Sequence, residues 1–191
     1  MAVDETVVAF HEAGHAVAAS YNELLYEYVS IIPDDEGTVG RVLLVPDPDE
    51  PRPDLGDLTD DERLVIERKI ITYFAGTIAE AKYCGIQPEF NEDYRQDWEN
   101  VSDYADRVCA SPEEAKAFER YLFYRTINLF DIAGQWKKVE ALAAELVKQK
   151  KIDYQDSRKI MRDALGIPQI MKVDGKIVIP PFKKTQIDSR E

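Results

Sequence analysis

The sequence predicts a mainly helical α+β fold, with a small β-sheet beside the first helix and a β-hairpin near the C-terminal end. Long segments with helix-start signals, two short β-branched segments and a later Asp-Gly turn support this prediction. With 191 residues the chain can bury one sizeable core. We expect one domain over residues 1–165 and an appended hairpin and tail over residues 166–191.

The helices are predicted from start and stop signals. Thr59 and Glu62 form a capping-box pattern, and Ser111-Pro112 places a proline in the first helical turn. Gly85 and Gly166 follow two of the helical segments as stop signals. The expected helices cover approximately residues 4–25, 59–83, 97–108, 111–130, 135–150 and 154–165.

The predicted strands fall into two pairs. Residues 27–33 and 39–46 are apolar and β-branched, and a polar turn segment separates them. Residues 169–173 and 176–179 flank Asp174-Gly175, a favoured hairpin turn. An isolated hairpin is marginally stable in water, so we expect this one to dock on its own domain or on a partner.

Composition excludes several classes of function. A net charge of −13 argues against nucleic-acid binding, which needs clustered basic residues. There is no apolar stretch of about 18 residues, so no membrane span is expected. The first residues do not resemble a signal peptide. Cys84 and Cys109 are too few for a disulfide framework and are expected to be small buried thiols. A cytoplasmic location is therefore expected.

The most informative motif is His11-Glu12-Ala13-Gly14-His15, which contains the only two histidines in the chain. On a helix, residues four apart share a face, so both imidazoles would point at one spot. Such a pair can bind Zn²⁺, with Glu12 as general base toward a metal-activated water. The apolar flanks without proline favour a buried helix. A chance pair of core histidines is the alternative, but it leaves the position of Glu12 unexplained.

The residues alone leave the third metal ligand open. Catalytic zinc usually has about three protein ligands, and there is no third histidine. The missing ligand is therefore a carboxylate or, with less support, a cysteine. Spacing does not choose among the 37 acidic residues. Glu99–Asp103 matches the ExxxD pattern of thermolysin-like enzymes, and Asp97 and Asp93 lie close by.

Several segments form a set in a fixed order: Phe10–Ala16, Tyr28–Pro33, Gly40–Pro46, Tyr73–Glu80, Gln96–Glu99 and Gln135–Met161. This set resembles the zinc helix, paired strands, later helices and Asn-Asp-Leu-Glu segment of the M41 peptidases. These are the protease domains of the membrane-anchored, ATP-dependent FtsH proteases. The resemblance covers residues 4–165, and the ordered set is more specific than the histidine motif alone.

The resemblance implies Asp97 as the third zinc ligand, ahead of Glu99. It implies that Glu80 orients a ligand histidine, the alternative being an ordinary acid on a helix surface. It also implies that an edge strand pairs with extended substrate, the alternative being simple sheet packing. The substrate-binding residues expected from this comparison are Gly40, Arg41, Val42 and Leu43.

The sequence departs from the family in several respects, one of which is a shorter stretch between Ala110 and Phe130. Ala75-Gly76-Thr77 replaces a glycine pair and an arginine, and Asp93-Tyr94-Arg95 replaces a small Thr-Gly-Ala segment. The sequence also contains no P-loop motif, so the ATPase module of the family is not in it. These departures leave substrate access and loop geometry open.

We therefore expect a zinc-dependent metalloendopeptidase that hydrolyses flexible or unfolded proteins. A separate ATPase or unfoldase is the expected source of such substrates. The alternative is a zinc-binding regulatory or interaction module, related to M41 peptidases, with little general proteolysis. The oligomeric state is left open.

Overall fold

A computed structural model describes residues 4–33, 39–46, 58–90, 95–167, 171–173 and 176–178. It is mainly helical, with a small antiparallel sheet, as the sequence predicts. The helices are α1 (Glu5–Tyr21), α2 (Asp60–Tyr83), α3 (Arg95–Asp106), α4 (Pro112–Leu129), α5 (Gln135–Gln149) and α6 (Tyr154–Ala164). The strands are β1 (Tyr26–Ser30), β2 (Arg41–Leu44), β3 (Lys151–Asp153), β4 (Met171–Val173) and β5 (Lys176–Val178).

Side-chain caps define the starts of several helices. The Asp4 side chain accepts from the backbone of Thr6 at the start of α1. Thr59 and Glu62 form both halves of the predicted capping box at the start of α2. Ser111 caps α4, whose first residue is Pro112, as predicted. These local interactions account for the agreement between the predicted and observed helix starts.

Helix α1 lies at the centre of the fold and packs against α2 on one side and α5 on another. Its contact with α2 is close because Gly14 has no side chain. A Cβ at Gly14 would lie 2.5 Å from the carbonyl oxygen of Ala75 and 2.6 Å from Cβ of Ala79. The two helix backbones therefore approach each other at the position of the histidine motif.

The sheet lies beside α1 with strand order β2-β1-β3. Among the described residues, strand β2 lies at the edge of this sheet, and it pairs antiparallel with β1 through partners such as Val29 with Val42 and Ser30 with Arg41. Strand β3 pairs with the other side of β1. The sequence did not predict β3, because three residues with only Ile152 buried are too short to give a strand pattern.

The C-terminal hairpin is present as the antiparallel pair β4–β5, in which Met171 pairs with Val178. Its turn and the final tail lie outside the described residues, and its docking stays a prediction. No helix in the described ranges is long and apolar enough to cross a membrane. The expectation for the cysteines was wrong in one case: Cys84 is exposed because it ends α2 at the surface, while Cys109 is half-buried.

Candidate metal centre

The two motif histidines meet on one buried face of α1. His11 Nε2 lies 3.0 Å from His15 Nε2. Asp97, near the start of α3, places Oδ2 3.3 Å from the His11 nitrogen and 3.4 Å from the His15 nitrogen. Within the described part of the chain, these three residues form a group that could hold a metal ion.

Helix α2 orients both imidazoles through their other ring nitrogen. Nδ1 of His11 lies 3.0 Å from Oε2 of Glu80, and Nδ1 of His15 lies 2.7 Å from the carbonyl oxygen of Thr72. A carbonyl can only accept, so His15 Nδ1 carries the hydrogen. Glu80 accepts from His11 in the same way when it is ionised. Both imidazoles then carry their hydrogen on Nδ1 and direct the Nε2 lone pair toward Asp97. Metal-ligating histidines adopt this tautomer when Nε2 is the ligand atom.

This arrangement fits a metal ion better than it fits an empty core. Two unprotonated nitrogens and a carboxylate oxygen repel one another unless a cation or a proton lies among them. Zinc ligands about 2.0–2.1 Å from a tetrahedral ion are separated from one another by about 3.3 Å. The three observed separations are 3.0, 3.3 and 3.4 Å. The donor set and its spacing are therefore compatible with a bound metal ion.

Gly76 on α2 leaves room at the same point. A Cβ there would lie 2.7 Å from His11 Nε2 and 2.6 Å from His15 Cε1, with Nε2 of His15 closer still. Any side chain at this position would occupy space between the two ligand nitrogens. Thr72, Gly76 and Glu80 are spaced four residues apart, so one face of α2 supplies a carbonyl, a gap and a carboxylate.

Aromatic packing holds the third ligand in place. Trp98 follows Asp97 on α3, and only 5% of it is exposed. Its ring packs edge-on against Phe74 of α2 and Phe90, with centroids 5.0 and 5.1 Å apart, and lies 6.4 Å from Phe123 of α4. These contacts fix α3 against α2. The Asp97 carboxylate, which α3 bears, therefore lies beside the histidines.

Glu12 is buried next to its two histidine neighbours, with 5% of the residue exposed. Burial raises the pKa of its carboxyl, and the nearby His15 and His11 partly offset this rise. Arg41 of β2 also acts to lower the pKa of Glu12. The net result is that the pKa of Glu12 lies above that of an ordinary glutamate.

The metal-free cluster shares protons among its members. Burial opposes protonation of His11, but hydrogen bonds to Asp97 and Glu80 outweigh it and raise the pKa of His11 to about 9. Burial also opposes protonation of His15, but the neighbouring Asp97 outweighs it, and the pKa of His15 is raised. Burial would raise the pKa of Asp97, but the two histidines lower it well below its usual range. A proton therefore occupies this cluster at neutral pH when no metal does.

The structure places the predicted site residues as follows. Asp97 joins the histidines, Glu99 is exposed and is not one of the three grouped residues, and Asp93 lies outside the described residues. Glu80 contacts His11. Of the expected substrate residues, Arg41, Val42 and Leu43 lie on edge strand β2, and Gly40 immediately precedes it.

The sequence reasoning missed two contributors to the site. The Thr72 contact uses a backbone carbonyl, which leaves no signal in residue type. Gly76 had a signal, namely a glycine inside a long helix, where it weakens helix formation by about 1 kcal/mol relative to alanine. Its spacing of four residues from Glu80 would have placed it on the same face.

Comparison with known proteins does not assign a family. No family model matches the chain, and no curated protein matches it significantly. The resemblance to M41 peptidases therefore depends on the motifs and their order.

Replacing Asp97 by alanine should remove stable zinc binding, because two imidazoles alone are an incomplete ligand set. We expect about one zinc per wild-type chain and little zinc in the variant after dialysis, measured by elemental analysis. The matched control is Glu99→Ala, on the same helix but exposed, which should keep its zinc. Equal zinc in both variants would exclude Asp97 as a ligand.

Gly76→Ala should also abolish zinc binding, although alanine favours the helix. The added methyl group would overlap the Nε2 atoms of both histidines. We therefore expect zinc affinity to fall about 100-fold, which is the largest loss typical of changes to residues that surround metal ligands. Chelator competition would measure it. Gly85→Ala is the control, since its Cβ would meet nothing within 4 Å and it should leave zinc affinity unchanged.

Zinc affinity should rise with pH up to about 9. The raised pKa means that His11 is protonated in the metal-free protein below this value, so zinc must displace that proton. Apparent affinity should increase about tenfold per pH unit between pH 7 and 9 for one displaced proton, and then level off. Chelator competition across this range tests it. Glu80→Gln should move the plateau to lower pH, and a flat profile would contradict the prediction.

Proposed function

We propose that this chain is a zinc-dependent metalloendopeptidase of the M41 type. The observation that carries the proposal is the position of Glu12. It lies between the two histidines in sequence, is buried beside their cluster, and contacts the backbone that leads into an edge strand. A purely structural zinc site has no use for a general base at that position.

His11, His15 and Asp97 would hold the metal. Bound zinc would supply a Lewis acid that polarises the scissile carbonyl and favours ionisation of water. Glu12 accepts the proton of the attacking water as the new C–O bond forms, and donates it to the amine nitrogen as the C–N bond breaks. Burial raises the pKa of Glu12. This direction suits both steps, because a group that accepts and then donates a proton works best when its pKa lies near the ambient pH.

Strand β2 is the proposed substrate-binding edge. Within the described residues it pairs with one strand only, so its other edge can accept an extended chain through backbone hydrogen bonds. Such pairing requires the substrate to be extended and tolerates many side chains. This supports flexible segments or unfolded proteins as substrates, supplied where necessary by a separate ATPase or unfoldase.

One observation favours the second candidate, a zinc-binding regulatory module. His11 and His15 are only 9% and 7% exposed, so the ligand atoms are well shielded from solvent. A site that serves only to hold helices α1, α2 and α3 together would have the same property. The two functions differ in what they require of Glu12.

Glu12→Gln should retain zinc and lose proteolysis. The amide preserves size but cannot accept a proton, and loss of a general base costs about 100- to 10,000-fold in rate. Cleavage of an unfolded protein such as casein and elemental analysis would be measured together. Glu99→Gln, an exposed change of the same kind, is the control. Cleavage that survives in Glu12→Gln would exclude the peptidase mechanism, and wild-type zinc without cleavage would favour the regulatory module.

A further inference from the structure

We propose that Gly40 is a positioning residue for Glu12. Its missing side chain lets the backbone before β2 lie directly against the general base and limits where that carboxylate can sit. This inference rests on the proposed peptidase function for its kinetic consequence. The contact itself does not depend on that function.

The contact is specific to Glu12. A Cβ built at Gly40 would lie 2.6 Å from Oε1, 2.7 Å from Cγ and 2.9 Å from Cδ of Glu12. All three of its nearest neighbours therefore belong to the same side chain. Distances below about 3.4 Å are shorter than van der Waals contact between carbon atoms, so an alanine at this position must displace Glu12 or be displaced by it.

Backbone conformation does not explain this glycine. Among the described residues, the glycines with positive φ are Gly85, Gly134 and Gly166, and Gly40 is not one of them. Alanine could adopt the same backbone at residue 40 without strain. The close approach to Glu12 is therefore the feature that requires a glycine here.

The sheet fixes the position of residue 40. Arg41, the next residue, pairs with Ser30 of β1, and Val42 pairs with Val29. Strand β1 is held on its other side by β3. The backbone at Gly40 is consequently an extension of a paired strand, and it touches a carboxylate carried by α1.

This geometry links the substrate edge to the general base. A chain that pairs with β2 is aligned on the same backbone that confines the Glu12 carboxylate. Because the three atoms nearest to a Cβ at residue 40 all belong to Glu12, a small change there should affect the chemical step more than substrate binding. A residue that only contacted substrate would instead affect KM.

The first experiment is Gly40→Ala in the zinc-loaded protein. We expect kcat to fall about 100-fold, the effect of misplacing a catalytic group by roughly 1 Å, with KM within about twofold of wild type and zinc content unchanged. A crystal structure should show Glu12 displaced while His11 and His15 keep their positions. Gly85→Ala is the control, because its Cβ meets nothing within 4 Å and it should leave kcat unchanged.

The second experiment separates the contact from the activity. Thermal stability of Gly40→Ala is compared in the wild-type and Glu12→Ala backgrounds, since Glu12→Ala removes all three crowded atoms. A loss of Tm that disappears in the Glu12→Ala background, or a displaced Glu12 in the crystal, supports the inference. Equal Tm changes in both backgrounds with Glu12 unmoved overturn it. A wild-type protein that cleaves nothing removes the proposed function and leaves this stability test valid.

Discussion

The close contact between α1 and α2 is the constraint on which the candidate metal centre depends. Gly14 allows the two backbones to approach, and Gly76 leaves the space that the imidazoles enter. At that distance the Thr72 carbonyl and the Glu80 carboxylate reach the Nδ1 atoms. A wider crossing would remove both hydrogen bonds and leave the imidazole rings without a fixed tautomer. The ligand geometry is therefore a product of helix packing, and small residues at the crossing matter as much as the histidines.

Electrostatics explains why this packing favours a cation. Carboxylates of Asp97 and Glu80 contact the imidazoles, and that of Glu12 lies nearby and buried. Such an arrangement is costly unless positive charge is present. Protons supply it in the metal-free protein, which is why both histidine pKa values are raised and that of Asp97 is lowered. A divalent ion would replace those protons and satisfy the same lone pairs, so the raised pKa values and the metal fit have one cause.

Local features made much of the fold predictable. Caps at Thr59 and Ser111 act within a few residues, and they located the starts of α2 and α4 correctly. The histidine pair needed only helical periodicity. By contrast, the candidate third ligand, Asp97, lies on α3, more than eighty positions away along the chain, and its position depends on the aromatic packing of Trp98. Strand β3 is defined by its pairing with β1, and no residue pattern inside it indicates that pairing.

The same division between local and non-local information applies to the catalytic proposal. The motif predicts that Glu12 is a general base, and that proposed role depends on where its carboxylate is held. One boundary is the helix that carries it, and the other is the backbone at Gly40, which the sheet positions. In the proposed mechanism the histidines are buried, so a substrate would be brought to them along a fixed edge. An extended chain paired with β2 meets that requirement, since its backbone is placed in register with the element that confines the base. Selectivity among substrates would then depend on whether a chain can become extended and pair with β2, and less on recognition of particular side chains.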